Sequence, residues 1–265
     1  MVNGTSLYYE RMGLGFPLVF ISGGGIMDRR AWDAQFEVFA ADYEVIRYDV
    51  RGIGKSGRPT APFSHGSDLF ELLKFLQIDR AHVIGLSVGG AIAIDFAIEH
   101  PEKVAGLILA ASGLSDDAKA DANIQGLTTL SAMTRTEGIE RVIEVVVATP
   151  FVVSAANVQA CETIRRIYLD NQDVFESNFP IYRQWEPIQP PASQRLGAIR
   201  ARTLLLRGDS DSPAYSASAD SVAEGIRGCV KSVIAGGTHF LNLDKPKEFN
   251  DAVRGFLSEL AWKFP

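Results

Sequence analysis

Positive charge and cysteine are both scarce in this chain. Lys and Arg number 26 against 32 Asp and Glu, which gives a formal charge of −6 with His neutral. A nucleic-acid partner requires a surplus of Lys and Arg on one face, so none is expected. The two cysteines, Cys161 and Cys229, lie far apart in the sequence and outside any C-x-x-C spacing. The sequence therefore predicts neither a disulfide framework nor a bound metal.

Apolar runs long enough to span a membrane are also absent. The uncharged apolar stretches at 83–94 and 104–115 contain 12 residues each, whereas a bilayer requires about 20. Glu10 and Arg11 interrupt an N-terminal stretch that lacks the basic-then-apolar order of a signal peptide. We expect no membrane partner and a cytoplasmic location.

Hydrophobic residues, 46% of the chain, form short runs that alternate with amphipathic stretches. The strand candidates are 17–21, 44–48, 82–85, 104–110, 203–207 and 231–234. The helix candidates between them are 30–40, 67–76, 88–99, 214–226 and 246–260. Short apolar strands without polar alternation are typical of a parallel sheet covered by helices on both faces. The sequence therefore predicts an α/β fold.

The alternation stops between residues 113 and 198. The stretches 139–147 and 158–169 have helical periodicity, and 180–191 holds four prolines. We expect a core formed by 1–112 and 199–265, with 113–198 as a mostly helical insertion.

Two glycine patterns imitate nucleotide-binding motifs. Residues 52–57 read G-x-G-x-x-G, but the two prolines in 58–62 favour an extended loop over the helix that would hold a pyrophosphate. Residues 54–56 imitate the end of a phosphate-binding loop, yet Asp49 stands where that loop requires glycine. Because neither motif is complete, we expect no bound cofactor and disfavour a nucleotide-binding oxidoreductase.

Ser87 is the centre of a G-x-S-x-G pattern with Gly85 and Gly89, between a predicted strand and a predicted helix. A sharp strand-to-helix turn exposes the serine hydroxyl, and only small residues two positions before and after it avoid clashes. The helix N-terminus then offers backbone N–H groups to a developing oxyanion. The pattern predicts a nucleophile; the alternative is a purely structural turn.

A nucleophilic serine requires a base, and His239 is the best placed of the four histidines. It lies in a glycine-flanked loop between the last predicted strand and the last predicted helix. His82 is committed to the strand before the serine, and His100 precedes a proline at a helix end. His65 lies in a loop without chemical context. The sequence predicts His239 as the general base.

The acid that orients this base should follow a strand and precede His239 in the chain. Asp209 and Asp211 both qualify, because they lie in the turn after the strand candidate 203–207. We favour Asp211, three residues after Gly208, with Asp209 as the alternative. Two further aspartates, 116 and 117, are more remote candidates.

The chain order of Ser87, Asp211 and His239 resembles that of the nucleophile, acid and base of the α/β-hydrolase superfamily. The resemblance covers 1–112 and 199–265. It rests on three further motifs: 49–56 looks like the D-x-R-G-x-G-x-S loop, 208–211 like the G-x-x-D acid turn, and 237–239 like the histidine loop. It implies an α/β-hydrolase fold, a mostly parallel sheet flanked by helices, with 113–198 as a helical cap.

One position departs from the family pattern. Ser22 precedes Gly23 where the family usually has His-Gly. The resemblance implies that backbone N–H groups, not that side chain, hold the oxyanion, so Gly24 and Val88 are the expected donors. The replacement bears on how the loop is kept rigid.

The resemblance favours a small serine esterase or enol-lactonase that forms an acyl-enzyme with a small-molecule ester or lactone. Epoxide hydrolases and haloalkane dehalogenases of this fold use Asp at the position of Ser87. Carbon–carbon bond hydrolases remain an alternative, although many have Trp where this chain has Phe240. A ligand receptor or signalling protein with slow or single-turnover chemistry is a second alternative.

Substrate selection is expected in the cap. The candidate lining residues are Met133, Phe151, Phe179, Tyr182 and Trp185, each of which could instead be packed in the core. Arg165 and Arg166 could recognise an acidic substrate, but a solvated helix face is the expected role.

Overall fold

The computed structural model describes residues 2–115, 118–176 and 184–261, which are arranged around one seven-stranded sheet. The strands are β1 (Tyr9–Met12), β2 (Phe16–Ile21), β3 (Tyr43–Tyr48), β4 (Ala81–Leu86), β5 (Val104–Ala110), β6 (Arg202–Gly208) and β7 (Val230–Ile234). Their spatial order is β1-β3-β2-β4-β5-β6-β7, and every pair is parallel except β1 with β3. Each predicted strand is present.

Helices cover the sheet and fill the long connection between β5 and β6. They are α1 (Asp33–Ala40), α2 (His65–Phe75), α3 (Val88–Glu99), α4 (Ala118–Glu137), α5 (Ile139–Ala148), α6 (Val158–Asp170), α7 (Gln172–Glu176), α8 (Pro213–Gly225), α9 (Leu241–Asp244) and α10 (Pro246–Ala261). Short 3-10 helices occupy Arg29–Trp32, Ala192–Gln194 and Leu196–Ala198. The predicted α/β architecture, a mostly parallel sheet flanked by helices, is confirmed.

The centre of the core is the pair β4 and β5 with the helix α3 that follows β4. Every residue of both strands is buried, which explains why they read as continuous apolar runs without polar alternation. α3 is apolar nearly all around and is buried from Gly89 to Ile98, as expected for a helix covered on all sides. The turn between β4 and α3 is therefore held on a rigid frame.

The connection between β5 and β6 contains α4 to α7. α5 buries Ile139, Val142, Ile143 and Val146 at helical spacing, and this stripe is what made the helix predictable. α4, 20 residues long, was not predicted as a helix, because its sequence is polar on average and includes Gly126. Within the described ranges, no helix is both long and apolar enough to cross a bilayer.

The parallel arrangement brings the loops that follow β2, β3, β4, β6 and β7 to one edge of the sheet. These are the carboxyl ends of the strands, where open α/β sheets bind their ligands. The sequence candidates fall in these loops: Gly24 after β2, Asp49 after β3, Ser87 after β4, Asp211 after β6 and His239 after β7.

Candidate active site

Ser87 occupies the turn between β4 and α3 in a strained backbone conformation. Its φ is 53° and its ψ −115°, a left-handed region that residues other than glycine rarely adopt. The turn places Ser87 at the N-cap of α3, where the first backbone N–H groups of the helix have no intrahelical partner. The conformation therefore presents the hydroxyl beside the N-terminus of α3.

The glycines around Ser87 are required because backbone lies against them. A Cβ at Gly85 would overlap the carbonyl of Gly89, and a Cβ at Gly89 would overlap the carbonyls of Ile21 and Ser22. Residues two before and two after the serine must therefore lack a side chain, as the G-x-S-x-G pattern predicts. The same contact packs the start of α3 against the loop that follows β2.

A continuous chain of hydrogen bonds joins the serine, the histidine and one aspartate. His239 Nε2 lies 2.9 Å from Ser87 Oγ, and His239 Nδ1 lies 3.0 Å from Asp211 Oδ2. The Asp211 side chain is almost fully buried, and its Oδ1 accepts the backbone N–H of Ser212 at 2.7 Å. The aspartate is thus held on both oxygens, and it aligns the imidazole with the serine hydroxyl.

Asp209, the alternative acid, has a different role. Its Oδ1 accepts the backbone N–H of Gly236 at 2.7 Å, which ties the turn after β6 to the loop after β7. The structure therefore brings Asp211, not Asp209, to the imidazole of His239. Aspartates 116 and 117 lie outside the described residues.

The loop that carries His239 is fixed to the connection between α5 and α6. The backbone N–H of His239 donates to the carbonyl of Phe151 at 2.8 Å, and that of Phe240 to the carbonyl of Val152 at 3.1 Å. The Tyr215 ring lies over the imidazole, with ring centroids 4.3 Å apart and planes 33° apart. Sequence reasoning missed this ring, because no spacing rule links a residue of α8 to the histidine loop.

Asp49 connects the loops after β2 and β3. It is fully buried and accepts the backbone N–H groups of Arg29 and Lys55, both at 2.9 Å. Burial raises the pKa of this carboxyl, although these two hydrogen bonds act in the opposite direction. A Cβ at Gly54, where φ is +57°, would overlap the carboxylate. Residues 49–56 therefore serve loop architecture, in keeping with the rejection of both nucleotide-binding motifs.

A cavity of about 490 Å³ opens above Ser87. Gly24 and His239 line it from the loops at the sheet edge, and Val88 and Tyr215 from the first turns of α3 and α8. The lining from the α4–α7 region is mostly apolar: Gly126, Leu127, Thr129, Leu130, Val145, Val146, Thr149, Phe151, Val152 and Tyr168. None of the lining side chains that the structure describes is Lys, Arg, Asp or Glu. The cavity therefore suits an uncharged apolar ligand.

The aromatic candidates of the insertion divide between different places. Of these candidates, Phe151 lines the cavity. Met133 packs against the core, and Trp185 packs on His65 with ring centroids 5.2 Å apart; neither is among the lining residues. Phe179 and Tyr182 lie outside the described residues.

The two arginines of α6 make ion pairs on the outer surface. Arg165 pairs with Glu140 at 2.6 Å and Arg166 with Asp33 at 2.9 Å. All four side chains are well exposed, which agrees with a solvated helix face rather than a site for an acidic substrate.

The remaining histidines lie away from the serine. Burial lowers the pKa of His65 to about 3 and that of His82 to about 4, so both are neutral near pH 7. His100 stacks on Phe70 at 4.4 Å. In the part of the chain that the structure describes, no group of three or more His, Cys, Asp or Glu side chains is arranged to hold a metal ion.

A mostly parallel sheet that presents a strained serine turn, an aspartate and a histidine in this chain order defines a class, the α/β hydrolases. The chain belongs to this family: the model of the alpha/beta hydrolase family matches residues 18–252. The fold expected from the resemblance is confirmed, and the coarse function is that of a hydrolase.

Curated relatives and solved structures match over nearly the whole chain. RutD of Azorhizobium caulinodans, which carries the name of a carbamate hydrolase, is 27% identical over 97% of this chain and 96% of its own. A 2-hydroxy-6-oxo-6-phenylhexa-2,4-dienoate hydrolase of Comamonas testosteroni is 28% identical over 96% of this chain and 91% of its own. A solved N-acyl homoserine lactone degrading enzyme is 27% identical, with a TM-score of 0.74 over 96% of this chain and 98% of its own.

Proposed function

We propose that the protein is a serine hydrolase that cleaves a carboxylic ester or lactone through an acyl-enzyme. The observation that carries the proposal is the unbroken hydrogen-bond chain from Asp211 through His239 to Ser87, which ends in the apolar cavity. In this proposal Ser87 is the nucleophile, His239 the general base and Asp211 the residue that orients it. Gly24 and Val88 supply the oxyanion donors.

The geometry supports the following steps. His239 Nε2 accepts the hydroxyl proton while Ser87 Oγ attacks the substrate carbonyl carbon, and Asp211 stabilises the imidazolium that forms. The backbone N–H groups of Gly24 and Val88 stabilise the tetrahedral oxyanion. The carbon–oxygen bond to the leaving group then breaks, and the leaving alkoxide takes the proton from His239.

The acyl-enzyme is released by the same machinery working on water. His239 Nε2 removes a proton from the water molecule as its oxygen attacks the acyl carbonyl. The proton returns to Ser87 Oγ when the second tetrahedral species collapses, which frees the carboxylic acid and restores the enzyme. In a lactone, the acid and the alcohol leave as one molecule.

Residues 113–198 act in this proposal as the cap that sets substrate choice. Leu127, Leu130, Val145 and Val146 contribute apolar wall to the cavity, opposite the loops that carry the proposed catalytic groups. Burial of a substrate chain against this wall would supply about 25 cal/mol for each Å² removed from water. The lactone-degrading structural relative, at 27% identity, supports a lactone among the candidate substrates.

The relatives also indicate which neighbouring reactions to assay. The curated relative named for carbamate hydrolysis supports testing carbamates, whose carbonyl the same serine could attack. The relative named for a dienoate substrate handles a carboxylate. A buried carboxylate requires a cationic or hydrogen-bonding partner, and no Lys or Arg is among the described lining residues. We therefore rank carbon–carbon hydrolysis below ester and lactone hydrolysis.

The test is a turnover assay on p-nitrophenyl esters of increasing chain length, on lactones and on carbamates, with Ser87→Ala as control. We expect steady turnover on short or medium neutral substrates and stoichiometric labelling of Ser87 by a fluorophosphonate. A burst of one equivalent followed by a halt would favour the ligand-receptor alternative. Unchanged labelling or turnover in Ser87→Ala would overturn the mechanism.

A further inference from the structure

The glycines around the donor at Gly24, in the loop after β2, have no side chains to hold them. Residues 23–25 are all glycine, and Gly25 has a left-handed φ of +71°. Ser22 is buried, yet its Oγ has no hydrogen-bond partner among the described residues. The side chain at the position where the family usually has histidine therefore does not brace this loop.

Asn171, which directly follows α6, reaches this loop across 145 and 143 positions of sequence. Its Nδ2 donates to the carbonyl of Ile26 at 3.2 Å and to Asp28 Oδ2 at 2.8 Å. Asn171 and Asp28 are both almost fully buried, with 3% and 1% of their surface exposed. Buried hydrogen bonds to a charged group are among the stronger ones in proteins.

Asp28 is kept in the form that accepts these bonds. Its burial opposes ionisation, but the hydrogen bonds from Arg30 and Asn171 outweigh that effect and hold the pKa of its carboxyl below the ordinary value. Asp28 also accepts the backbone N–H of Arg30 at 2.9 Å. The carboxylate therefore connects Asn171 to the first turn after the loop.

A second anchor acts from the sheet side, where Asp49 accepts the backbone N–H of Arg29 at 2.9 Å. The chain is thus held at Ile26, Asp28 and Arg29, immediately after the three glycines. We propose that Asn171 is a positioning residue for the oxyanion donor at Gly24, so that a side chain of the cap, acting through Ile26 and Asp28, keeps this donor in place. The inference rests on the proposed function for its catalytic consequence.

Removal of the amide tests the brace. In Asn171→Ala we expect kcat on the best ester to fall about 10- to 100-fold, below the 10²- to 10³-fold loss of an entire donor, with KM changed less than threefold. Asp170→Ala is the matched control, since it keeps the Asn171 amide and removes the ion pair of the exposed Asp170 with Arg30. We expect this control to keep kcat within twofold of the parent.

A donor–acceptor exchange guards against general damage to the fold. Asn171→Asp places two carboxylates together, so we expect it to be at least as impaired as Asn171→Ala. When Asn171→Asp is combined with Asp28→Asn, the new amide at position 28 can donate to the new carboxylate at position 171. One hydrogen bond is thus restored with its direction reversed. We expect the double variant to have a kcat at least threefold higher than that of Asn171→Asp alone. Damage confined to the end of α6 would not be repaired in this way.

Amide hydrogen exchange of the peptide that spans residues 22–28 gives a readout independent of any substrate. We expect exchange at least tenfold faster in Asn171→Ala and unchanged exchange in Asp170→Ala. Parental exchange in Asn171→Ala would overturn the brace. Faster exchange with kcat within twofold of the parent would overturn its catalytic role. Absence of ester turnover in the parent would count against the proposed function alone, because exchange still tests the brace.

Discussion

One cavity lies between the loops at the carboxyl edge of the sheet and the helices that connect β5 to β6. The two sides differ in how tightly packing restricts the residue type at each position. At the sheet edge, backbone approaches backbone so closely that Gly85 and Gly89 admit no Cβ. In the helical region, a Cβ at Gly126 would meet no atom of the described residues within 4 Å, and the cavity wall consists mostly of apolar side chains. The loops at the sheet edge are therefore sterically constrained at single positions, whereas the proposed substrate wall is less constrained.

The largest effect is expected at the sheet edge, where a buried carboxylate contacts His239. Asp211→Asn should reduce kcat/KM by about 10²- to 10⁴-fold, because the amide cannot hold the imidazole in the productive tautomer or stabilise its cation. Asp209→Ala should keep kcat/KM within threefold while it lowers the free energy of unfolding by about 1 kcal/mol through the lost bond to Gly236. Steady-state kinetics and urea denaturation of both variants measure this contrast. The reverse order would assign the acid role to Asp209.

A methyl group added in each region tests the steric difference directly. Gly89→Ala should cost more than about 3 kcal/mol in the free energy of unfolding, because the backbone carbonyls of Ile21 and Ser22 cannot move away. Gly126→Ala lies within α4 and should increase that free energy by about 0.5–1 kcal/mol. Thermal denaturation of the two variants suffices. Equal effects would remove the distinction between the two regions.

The contact of His65 with Trp185 joins the core to the chain that follows the helical region. The pKa of His65 is lowered by burial to about 3 from an ordinary 6.5. Between these values the unfolded chain binds more protons than the folded one, so stability falls as pH falls below about 6.5. His65→Gln should flatten this dependence by up to about 1.4 kcal/mol per pH unit. Denaturation between pH 4.5 and 7 tests it, and an unchanged slope would contradict it.

The smallest effect is expected at a single wall residue. Phe151 lines the cavity and also an outer groove with Pro150, Asp211 and Pro213. Phe151→Ala should open one space into the other. We expect the kcat/KM of a long-chain p-nitrophenyl ester, relative to that of a short-chain one, to rise about tenfold. Its backbone carbonyl still holds His239, so kcat on the acetate ester should stay within a few-fold. Phe75→Ala is the control, because Phe75 is exposed and lines neither space. An unchanged chain-length profile in Phe151→Ala would exclude this wall role.

The sheet, the serine turn and the histidine loop were predictable because each depends on local sequence. Apolar runs identify β4 and β5, and the steric needs of the turn identify Gly85 and Gly89. The geometry also selects Asp211, the favoured acid, for contact with His239. Two adjacent aspartates in one turn left that choice open on sequence alone.

Other features escaped sequence reasoning because they depend on contacts far apart in the chain. The stacking of Tyr215 on His239 and the bonds of Asn171 to the loop after β2 join residues that no periodicity relates. α4 was missed because its sequence is polar on average and its overall helical periodicity is weak. Met133 and Trp185 were candidates for the wall on residue type alone, which does not distinguish a cavity from a core.

The backbone hydrogen bonds that hold the His239 loop also determine how this hydrolase could be recombined with a relative. Phe151 and Val152 belong to the insertion by sequence, yet their carbonyls hold the histidine loop. A chimera that exchanged 118–148 would import a new substrate wall and leave those carbonyls native. In a chimera that exchanged the whole insertion, the backbone of the relative would have to supply the carbonyls that hold the His239 loop. If this wall sets substrate choice as proposed, the useful crossover point lies just before Thr149, inside the insertion and not at its ends.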